Sequence, residues 1–511
     1  MTARTKMFDK NVKKAEFTSL KGTFASIAVN KVEEPYLFAW SPESRPPRFF
    51  RPTCQCRPLQ RFYAMLITTT RSLTALTLAI TLFCGAGLMT YTAHAKSAKP
   101  DPALDGEILL RLRSTTSLYP LLLKYQLEEL SQFGSRPIYR LAVIGTTSVE
   151  ETIDALSLEI DVLAAEANPL MRSPEARRNA AWAVGVKSDY DDANHWAPEA
   201  IRLAEAQQLS NGDGVRIAVL DTGVDSQHIE LSDRLIQGWD FVDDDDDPSE
   251  VGSAENLGFG HGTHVTGLIT LTAPRAKIMP VRVLDADGMG NAWVLAEALL
   301  YAVDPDNNPG TDDGAEVINL SLGTINRARI LRTAVGLATC AIVDAAEELS
   351  LPVDPDVDLS DPGYDDDKDR CSNFLGSVVI AAAGNDASNK LRQYPAGARV
   401  YGMLSVGASD EMGGVASFSN YGSWVDIAAP GSNITSLIPG DAYGKWSGTS
   451  MAVPFVTGTA ALLISRNPML SPRDVTRRIE RSSSELCGDS LGQVDAAAAL
   501  GNVAQFVDDC R

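Results

Sequence analysis

Long apolar runs without alternation mark the larger, C-terminal part of the chain. The first run is GVRIAVLDTG, and similar runs follow at 277–284, 315–323, 377–385 and 402–409. Between several of them, apolar residues recur at helical spacing, as in GTHVTGLITL, NAWVLAEALLYAV and SMAVPFVTGTAALLISR. Strands that are apolar on both faces and alternate with helices are typical of a parallel sheet covered by helices. The pattern predicts an α/β domain over residues 195–511.

A smaller pattern precedes this domain. Strands are predicted in GEILLRLR (106–113), RPIYRLAVIG (136–145) and IDVLAAEANP (160–169). Helices are predicted from Leu118 to Leu130 and over 148–158, the second opened by an S-x-x-E capping box. These elements predict a small α+β unit over residues 105–172.

An apolar segment near the N-terminus predicts export. It begins at Arg71 and leads to Ala93-His94-Ala95, an A-x-A cleavage pattern. Secretory signals normally start a chain, and Met65 lies just ahead of the segment. We therefore expect residues 65–95 to be a signal peptide and residues 1–64 to be an over-extended gene assignment.

Two alternatives to a cleaved signal are considered. The apolar segment is nearly long enough to serve as a membrane anchor behind a basic tail. A lipoprotein site at Cys84 fits less well, because Phe83 stands where a small residue is expected. We expect a protein secreted to the periplasm or medium, with no stable membrane span after cleavage.

The charge of the chain excludes one class of partner. The 511 residues carry a formal net charge of -21, which argues against binding to nucleic acid or anionic lipid. Two acidic stretches, Asp243 to Asp247 and 353–370, stand out. Each is either a solvated loop or a structural calcium site, and the sequence leaves the metal site unknown.

Four cysteines follow the predicted signal peptide. Cys340 and Cys371 flank one insertion, whereas Cys487 and Cys510 flank the C-terminal tail. Three connectivities are open, and pairing within each couple would close two local loops in an oxidising compartment.

Candidate chemistry lies at the carboxyl ends of the predicted parallel strands, where functional groups gather. Asp221 ends the first strand, and its carboxylate either caps the turn or serves the site. GFGHGTHVTG places His261 and His264 on a glycine-rich turn that enters a helix. We expect His261 to be accessible and His264 to pack or hydrogen-bond. Zinc binding is the alternative, although the H-E-x-x-H glutamate is missing.

Ser450 begins the helical pattern SMAVPFVTGTAALLISR. A nucleophile there gains from the positive end of the helix dipole and from backbone N–H groups that can bind an oxyanion. We expect Pro454 to lie within the first turn, where a proline is tolerated. Asn385, after the strand in AAAGND, is the candidate for a second oxyanion donor.

Together these segments resemble the subtilisin-like serine proteases. The resemblance rests on VLDTGVDSQHIEL, GHGTHVTG, VINLSLG, AAAGND, YPAG and GTSMAVPFVTG, spread over residues 195–500. It implies an α/β fold of three layers, with a mostly parallel sheet between helices, preceded by a small α+β ferredoxin-like propeptide. It also implies protein or peptide substrates.

The resemblance also implies a role for each matched residue. Ser450 would be the nucleophile, His261 the general base and Asp221 its orienting acid. Asn385 and the Ser450 backbone N–H would form the oxyanion hole. An extended substrate would pair with Ser321, Leu322 and Gly323, and the bond between Tyr394 and Pro395 would be cis.

The unit at 105–172 resembles subtilase propeptides, which act as intramolecular inhibitors. Cleavage would fall after about Arg172, within the stretch to Asn194. The alternative is an unrelated module that stays attached. No cofactor is expected for the chemistry, and the calcium site common in the family is not carried over, because Glu230 stands where that site has aspartate.

The sequence thus predicts a secreted serine endopeptidase made as a zymogen. A catalytically silent protein that binds peptides in the same cleft is the main alternative. A serine esterase of the common type is disfavoured because no G-x-S-x-G follows a strand.

Overall fold

The computed structural model describes residues 101–177, 183–185, 196–308, 310–341, 371, 375–486 and 490–501. All of them belong to one unit that runs from His94 to Arg511. The predicted signal peptide and the predicted pairing of Cys487 with Cys510 lie outside the described residues.

Residues 103–172, called here the N-terminal module, form an antiparallel sheet in the order β2-β3-β1-β4. Alternation in the first strand explains the packing, because Ile108, Leu110 and Leu112 face the module's own core while Leu109 faces the rest of the protein. The elements are β1 Ala103–Leu112, α1 Leu118–Tyr125, β2 Leu127–Gln132, β3 Ile138–Val143, α2 Val149–Leu156 and β4 Val162–Arg172.

One element of the module differs from prediction. The helix expected to reach Leu130 ends at Tyr125, and Leu127–Gln132 forms a strand paired with β3. Gln126 takes a left-handed conformation at φ 52°, which stops the helix and turns the chain back. The capping box of α2 is confirmed, with Ser148 and Glu151 bonded reciprocally.

The larger sheet is mostly parallel, as predicted. Its order among the described residues is β16-β17-β13-β12-β11-β10-β6-β8-β7. The five apolar runs of the sequence supply its centre. The strands are β6 Arg216–Asp221, β7 Trp239–Asp240, β8 Lys277–Arg282, β10 Val317–Leu320, β11 Val378–Ala382, β12 Met403–Ser409, β13 Ile427–Pro430, β16 Ser484–Glu485 and β17 Gly492–Gln493.

Helices cover both faces of this sheet. Two apolar cores result, one on each face, because side chains along each strand point alternately to opposite sides. One core contains α3 Trp196–Ala200, α4 Leu203–Gln207, α5 His261–Thr272, α8 Thr449–Arg466, α9 Pro472–Arg481 and α10 Ala496–Ala499. The other contains α6 Ala292–Val303 and α7 Arg329–Ala338.

Shorter strands complete the fold. β14 and β15 form an antiparallel hairpin, and β5 pairs with β15. β9 pairs with the end of β4, so the module's sheet continues into the larger part of the molecule. Their bounds are β5 Ala183–Gly185, β9 Met289–Asn291, β14 Ile434–Ile438 and β15 Ala442–Trp446.

The N-terminal module docks on the helices α6 and α7. The Glu166 carboxylate accepts hydrogen bonds from the backbone N–H groups of Arg329 (2.8 Å) and Ile330 (3.3 Å), at the start of α7. Asn168 Oδ1 accepts one from the Trp293 N–H at the start of α6. Side chains of the module therefore satisfy N–H groups that each helix leaves without an internal partner.

A disulfide and a cis peptide bond agree with the predictions. Cys340 and Cys371 form a disulfide, and the bond between Tyr394 and Pro395 is cis. Among the described residues, no helix combines the length and apolar character needed to cross a bilayer.

Candidate active site

The predicted site residues converge at the carboxyl edge of the large sheet. Asp221 is the last residue of β6, Ser321 follows β10, and Asn385 lies three residues after β11. β10 lies between β6 and β11 in the sheet, so the ends of three neighbouring strands line one edge. Ser450 approaches the same edge from the start of α8.

His261 is held beside Asp221 by a close approach of two backbone segments. Its Nδ1 lies 2.7 Å from Oδ1 of Asp221. Helix α5 comes so near the turn after β6 that a Cβ on Gly262 would meet the carbonyl oxygen of Gly223 at 2.1 Å. Glycine at 262 is therefore required for the contact between the acid and the imidazole.

Glu250 fixes the same turn, although no sequence motif singles it out. Its carboxylate accepts hydrogen bonds from Thr222 Oγ1 (2.7 Å), the Gly260 N–H (3.0 Å) and Thr263 Oγ1 (2.9 Å). It joins the turn after Asp221 to the first turn of α5. Burial, together with the charge of Asp221, raises the pKa of Glu250 to about 7 against these hydrogen bonds.

His264 hydrogen-bonds, as expected. Its Nε2 lies 3.2 Å from the carbonyl oxygens of both Ile434 and Gly444, and its ring stacks on Trp446. Burial, together with the charge on His261, lowers its pKa to about 3, so the ring is neutral. His264 thus binds the backbone while His261 faces Asp221, which does not fit a shared zinc site.

Ser450 is the second residue of α8, and its Oγ lies 3.1 Å from the carbonyl oxygen of Ser321. Pro454 is the sixth residue of that helix, so the expectation that it lies in the first turn is wrong. A proline there leaves the carbonyl of Ser450 without its helical N–H donor. The hydroxyl of Ser321 donates to that carbonyl instead, at 3.0 Å.

The amide of Asn385 has a defined orientation. Its Oδ1 accepts from the backbone N–H and the hydroxyl of Thr449, at 2.9 and 3.0 Å. Its Nδ2 is thereby turned to the Glu175 carboxylate, to which it donates at 2.9 Å. Gly448 keeps this space open, because a Cβ there would lie 3.0 Å from Asn385 Nδ2.

Glu175 occupies the space between these groups, and sequence reasoning missed it. Its carboxylate accepts hydrogen bonds from Ser450 Oγ (2.6 Å) and Asn385 Nδ2 (2.9 Å), and it lies 3.1 Å from His261 Nε2. No hydrogen bond joins His261 Nε2 to Ser450 Oγ in the described part of the chain. The carboxylate stands between the predicted base and the predicted nucleophile.

The electrostatics of this contact favour an ion pair. Burial opposes the imidazolium, but the carboxylates of Asp221 and Glu175 outweigh it and raise the pKa of His261 to about 10. Burial likewise opposes the ionised form of Glu175, but His261 and the donors Ser450 and Asn385 hold the pKa of Glu175 below its usual value.

The chain reaches Glu175 along an extended track. Arg172 exchanges backbone hydrogen bonds with Gly323, at 3.1 and 3.0 Å, and the Ser173 N–H donates to the Gly288 carbonyl at 3.2 Å. Gly323 thus pairs with an extended segment, whereas Leu322 packs in the core toward α6 and α7. The end of β4 therefore lies as a strand between β9 and Gly323.

Calcium stays a prediction. In the first acidic loop, Asp240 and Asp243 are both bound to Arg282, and the second loop lies mostly outside the described residues. Among the described residues, a grouping of three acidic donors within 4.8 Å occurs after α6, formed by Asp304, Asp306 and Asp313.

The fold and the sequence together define the class of the protein. The model of the subtilase family (peptidase S8) matches residues 212–502, more than half of the chain. The chain therefore belongs to the subtilase family and is a serine-type endopeptidase.

Relatives within the family agree with this assignment. The chain is 35% identical over 347 residues to a thermophilic serine proteinase of Bacillus sp. (strain AK1), covering 65% of this chain and 72% of that protein. It is 35% identical over 325 residues to thermitase of Thermoactinomyces vulgaris, covering 61% of this chain and 97% of that protein. Its fold is similar to that of fervidolysin from Fervidobacterium pennivorans, a keratinolytic enzyme related to subtilisin. The TM-score is 0.58, and the sequences are 23% identical over 78% of this chain and 61% of that one.

Proposed function

We propose that this endopeptidase hydrolyses peptide bonds through an acyl-enzyme formed on Ser450. His261 takes the proton of the Ser450 hydroxyl as Oγ attacks the scissile carbonyl, and then gives it to the leaving amine. Asp221 holds the imidazole in the required tautomer and stabilises the imidazolium. Water then repeats the sequence to release the acid product.

The oxyanion of the tetrahedral intermediate is bound by Asn385 Nδ2 and by the backbone N–H of Ser450. The observation that carries the proposal is that Ser450 Oγ, His261 Nε2 and Asn385 Nδ2 all contact one carboxylate group. A group of similar size and charge develops at the scissile carbon in the reaction.

Substrates are extended protein segments that add a strand between Gly323 and β9. The hydrogen bonds of Arg172 and Ser173 support this assignment, since they are backbone bonds that any sequence can make. Specificity then depends on the side chains on either side of the cleaved bond.

The enzyme is made as an exported zymogen in this proposal. Residues 65–95 direct export, residues 105–172 fold as an inhibitory propeptide, and residues 195–511 form the catalytic domain. Support comes from the contacts of the module with α6 and α7 and from Glu175 in the cleft. Autoprocessing between about Arg172 and Asn194 would release the active enzyme.

The experiment that tests the function compares wild type with Ser450→Ala. Intact mass, N-terminal sequencing and casein digestion are measured on both secreted proteins. We expect wild type to start between Arg172 and Asn194 and to digest casein, whereas Ser450→Ala should start at Lys96 and be inert.

Ser465→Ala is the matched control, because Ser465 lies near the other end of α8 and bonds to the backbone of Asp213. It should behave as wild type. Self-processing of Ser450→Ala to the wild-type length would refute the assignment of the nucleophile. Chains that all start at Lys96 and leave casein intact would favour the silent peptide-binding protein.

A further inference from the structure

The extended strand that enters the cleft ends before it reaches Ser450, and a side chain rather than a backbone carbonyl lies at the site. The extended pairing of β4 ends at Arg172, the Ser173 N–H makes one more hydrogen bond, and residues Pro174–Arg177 turn into a 3₁₀ helix. Pro174 has no N–H to extend the ladder. As the backbone turns, the side chain of Glu175 enters the site.

The Glu175 side chain satisfies the predicted oxyanion donor. A Cβ on Gly448 would lie 1.6 Å from Oε1 of Glu175, so the carboxylate fills the space that this glycine leaves open. Oε1 binds Nδ2 of Asn385, while Oε2 binds Ser450 and faces His261. Only 5% of the Glu175 side chain is exposed, which makes the contact a buried one.

The same contact disables two steps of the proposed reaction. Ser450 Oγ donates its proton to Glu175 rather than to His261, so the base cannot activate it. An imidazolium paired with Glu175 has no free site to accept a proton. The carboxylate also occupies the position proposed for the oxyanion, so a scissile carbonyl can enter only after Glu175 has left the site.

We propose that the catalytic centre is a binding site for the side-chain carboxylate of a peptide, and that Glu175 is the ligand through which the N-terminal module inhibits the enzyme. The inference rests on the proposed function of Ser450, His261 and Asn385. The ligand class is an extended peptide with the pattern Met-Arg-Ser-Pro-Glu, in which glutamate is the second residue after the one that pairs with Gly288.

The rest of the pattern positions the carboxylate. Met171 is buried in the core shared with α6, and Arg172 pairs with Gly323 and forms an ion pair with Asp101. These contacts hold the segment on both sides of the extended track. A glutamate on a peptide without these contacts would bind more weakly, because ordering the flexible segment costs conformational entropy.

The position of the processing bond decides how long the inhibition lasts. Cleavage after Glu175 leaves the carboxylate on the module, which then inhibits in trans until the module is degraded. Cleavage between Arg172 and Glu175 leaves the carboxylate within the first residues of the enzyme instead.

Synthetic peptides added to the processed enzyme test the binding site. The peptide of residues 168–177 carries Glu175, and the matched control carries Glu175→Gln, which has nearly the same shape without the charge. We expect the glutamate peptide to inhibit casein digestion with an inhibition constant lower by about tenfold or more, since hydrogen bonds to charged groups are the stronger ones. A difference below threefold would overturn the proposal.

A second measurement does not depend on activity. Hydrogen exchange of the full chain is compared between Ser450→Ala and Ser450→Ala/Glu175→Gln, so that neither chain processes itself. We expect amides of Leu170–Arg172 and Ser173 to exchange about tenfold faster in the double variant, because the segment loses its charged contact. Equal exchange in the two chains would overturn the proposal.

Glu166→Gln in the Ser450→Ala background is the matched control for docking. It alters a carboxylate of the module that binds the start of α7 rather than the site, so its effect should centre on the amides of Arg329 and Ile330. If the wild type digests no casein, the function of the site is refuted, while the exchange comparison still decides whether Glu175 binds it.

Discussion

Two buried carboxylates close to His261 have pKa values shifted in opposite directions. Glu175 reaches the site from the turn that directly follows the N-terminal module, and its pKa is held below the usual value. Glu250 reaches the turn beside the site from the acidic loop, and its pKa is raised to about 7. Each accepts at least two hydrogen bonds, so hydrogen bonding alone does not explain the difference.

The difference lies in the charge of the neighbours. Glu175 faces an imidazolium, whose charge offsets the loss of hydration. Glu250 receives hydroxyl and backbone N–H groups, and the nearest charge is the like charge of Asp221. Burial sets the cost of ionisation, and an opposite charge decides whether the carboxylate stays ionised. Glu175 is thus suited to an electrostatic contact, and Glu250 to a structural one.

The largest effect should come from the third carboxylate, Asp221. Asp221→Asn removes the negative charge beside His261 Nδ1 and disfavours the catalytic tautomer of the imidazole. We expect kcat of the processed enzyme to fall by about 10⁴-fold with little change in KM. Steady-state kinetics on a peptide substrate would measure this.

Asp213→Asn is the control for that variant, because Asp213 forms an exposed ion pair with Arg275. Its kinetics should match wild type. A loss of less than tenfold for Asp221→Asn would mean that His261 does not depend on Asp221.

The next effect should come from breaking the pair of Glu175 and His261 in the unprocessed chain. Removing one partner of a buried ion pair costs about 3–5 kcal/mol. We expect Ser450→Ala/Glu175→Gln to melt below Ser450→Ala, as measured by calorimetry near pH 7.

The pH dependence of that difference has a definite sign. The lowered pKa of Glu175 means that its contribution is present above about pH 4.5 and is lost as pH falls through the folded value. The raised pKa of His261 means that its contribution is present below about pH 6.5 and is lost as pH rises through about 10. A melting difference that stayed constant from pH 3 to pH 11 would contradict the ion pair.

Glu250 should show the opposite slope. Its raised folded pKa means that the native state binds the proton more tightly than the unfolded chain. Stability should therefore fall as pH rises from about 4.5 to about 7, by at most about 3 kcal/mol. Glu250→Gln cannot ionise and should lack this fall, which melting temperatures at pH 5 and pH 8 would reveal. Parallel curves for the two proteins would be inconsistent with a raised pKa.

The smallest effect should come from Glu166, which has neither the imidazolium of Glu175 nor the neighbouring Asp221. It accepts hydrogen bonds from two backbone N–H groups at the start of α7, so Glu166→Gln should destabilise the unprocessed chain by about 1 kcal/mol. Chemical denaturation would measure the change. A loss of stability as large as that caused by Glu175→Gln would contradict the prediction that the contact of Glu166 with α7 is weaker than the contact of Glu175 with His261.

The sequence was sufficient for much of the site because its groups lie in local patterns. Asp221, His261, Asn385 and Ser450 each follow a buried strand or open a helix, beside glycines that the close contacts require. The order of apolar runs likewise predicted the parallel sheet, since strands buried on both faces leave few other arrangements.

Glu175 could not be found in the same way. RSPEAR has no local signature, and its role arises because β4 pairs with β9 and directs the following turn into the cleft. The end of α1 was misjudged for a related reason. Nothing in the leucine spacing reveals the left-handed Gln126, which pairing of the next strand with β3 favours.

The proline in α8 has a structural consequence for Ser450, the proposed nucleophile. The Ser450 carbonyl accepts from the hydroxyl of Ser321, directly after β10, because residue 454 has no N–H to donate. One hydrogen bond that would join the first turn of α8 to the rest of the helix therefore joins that turn to the edge of the sheet. The position of Ser450 therefore depends on the end of β10 as well as on the body of α8.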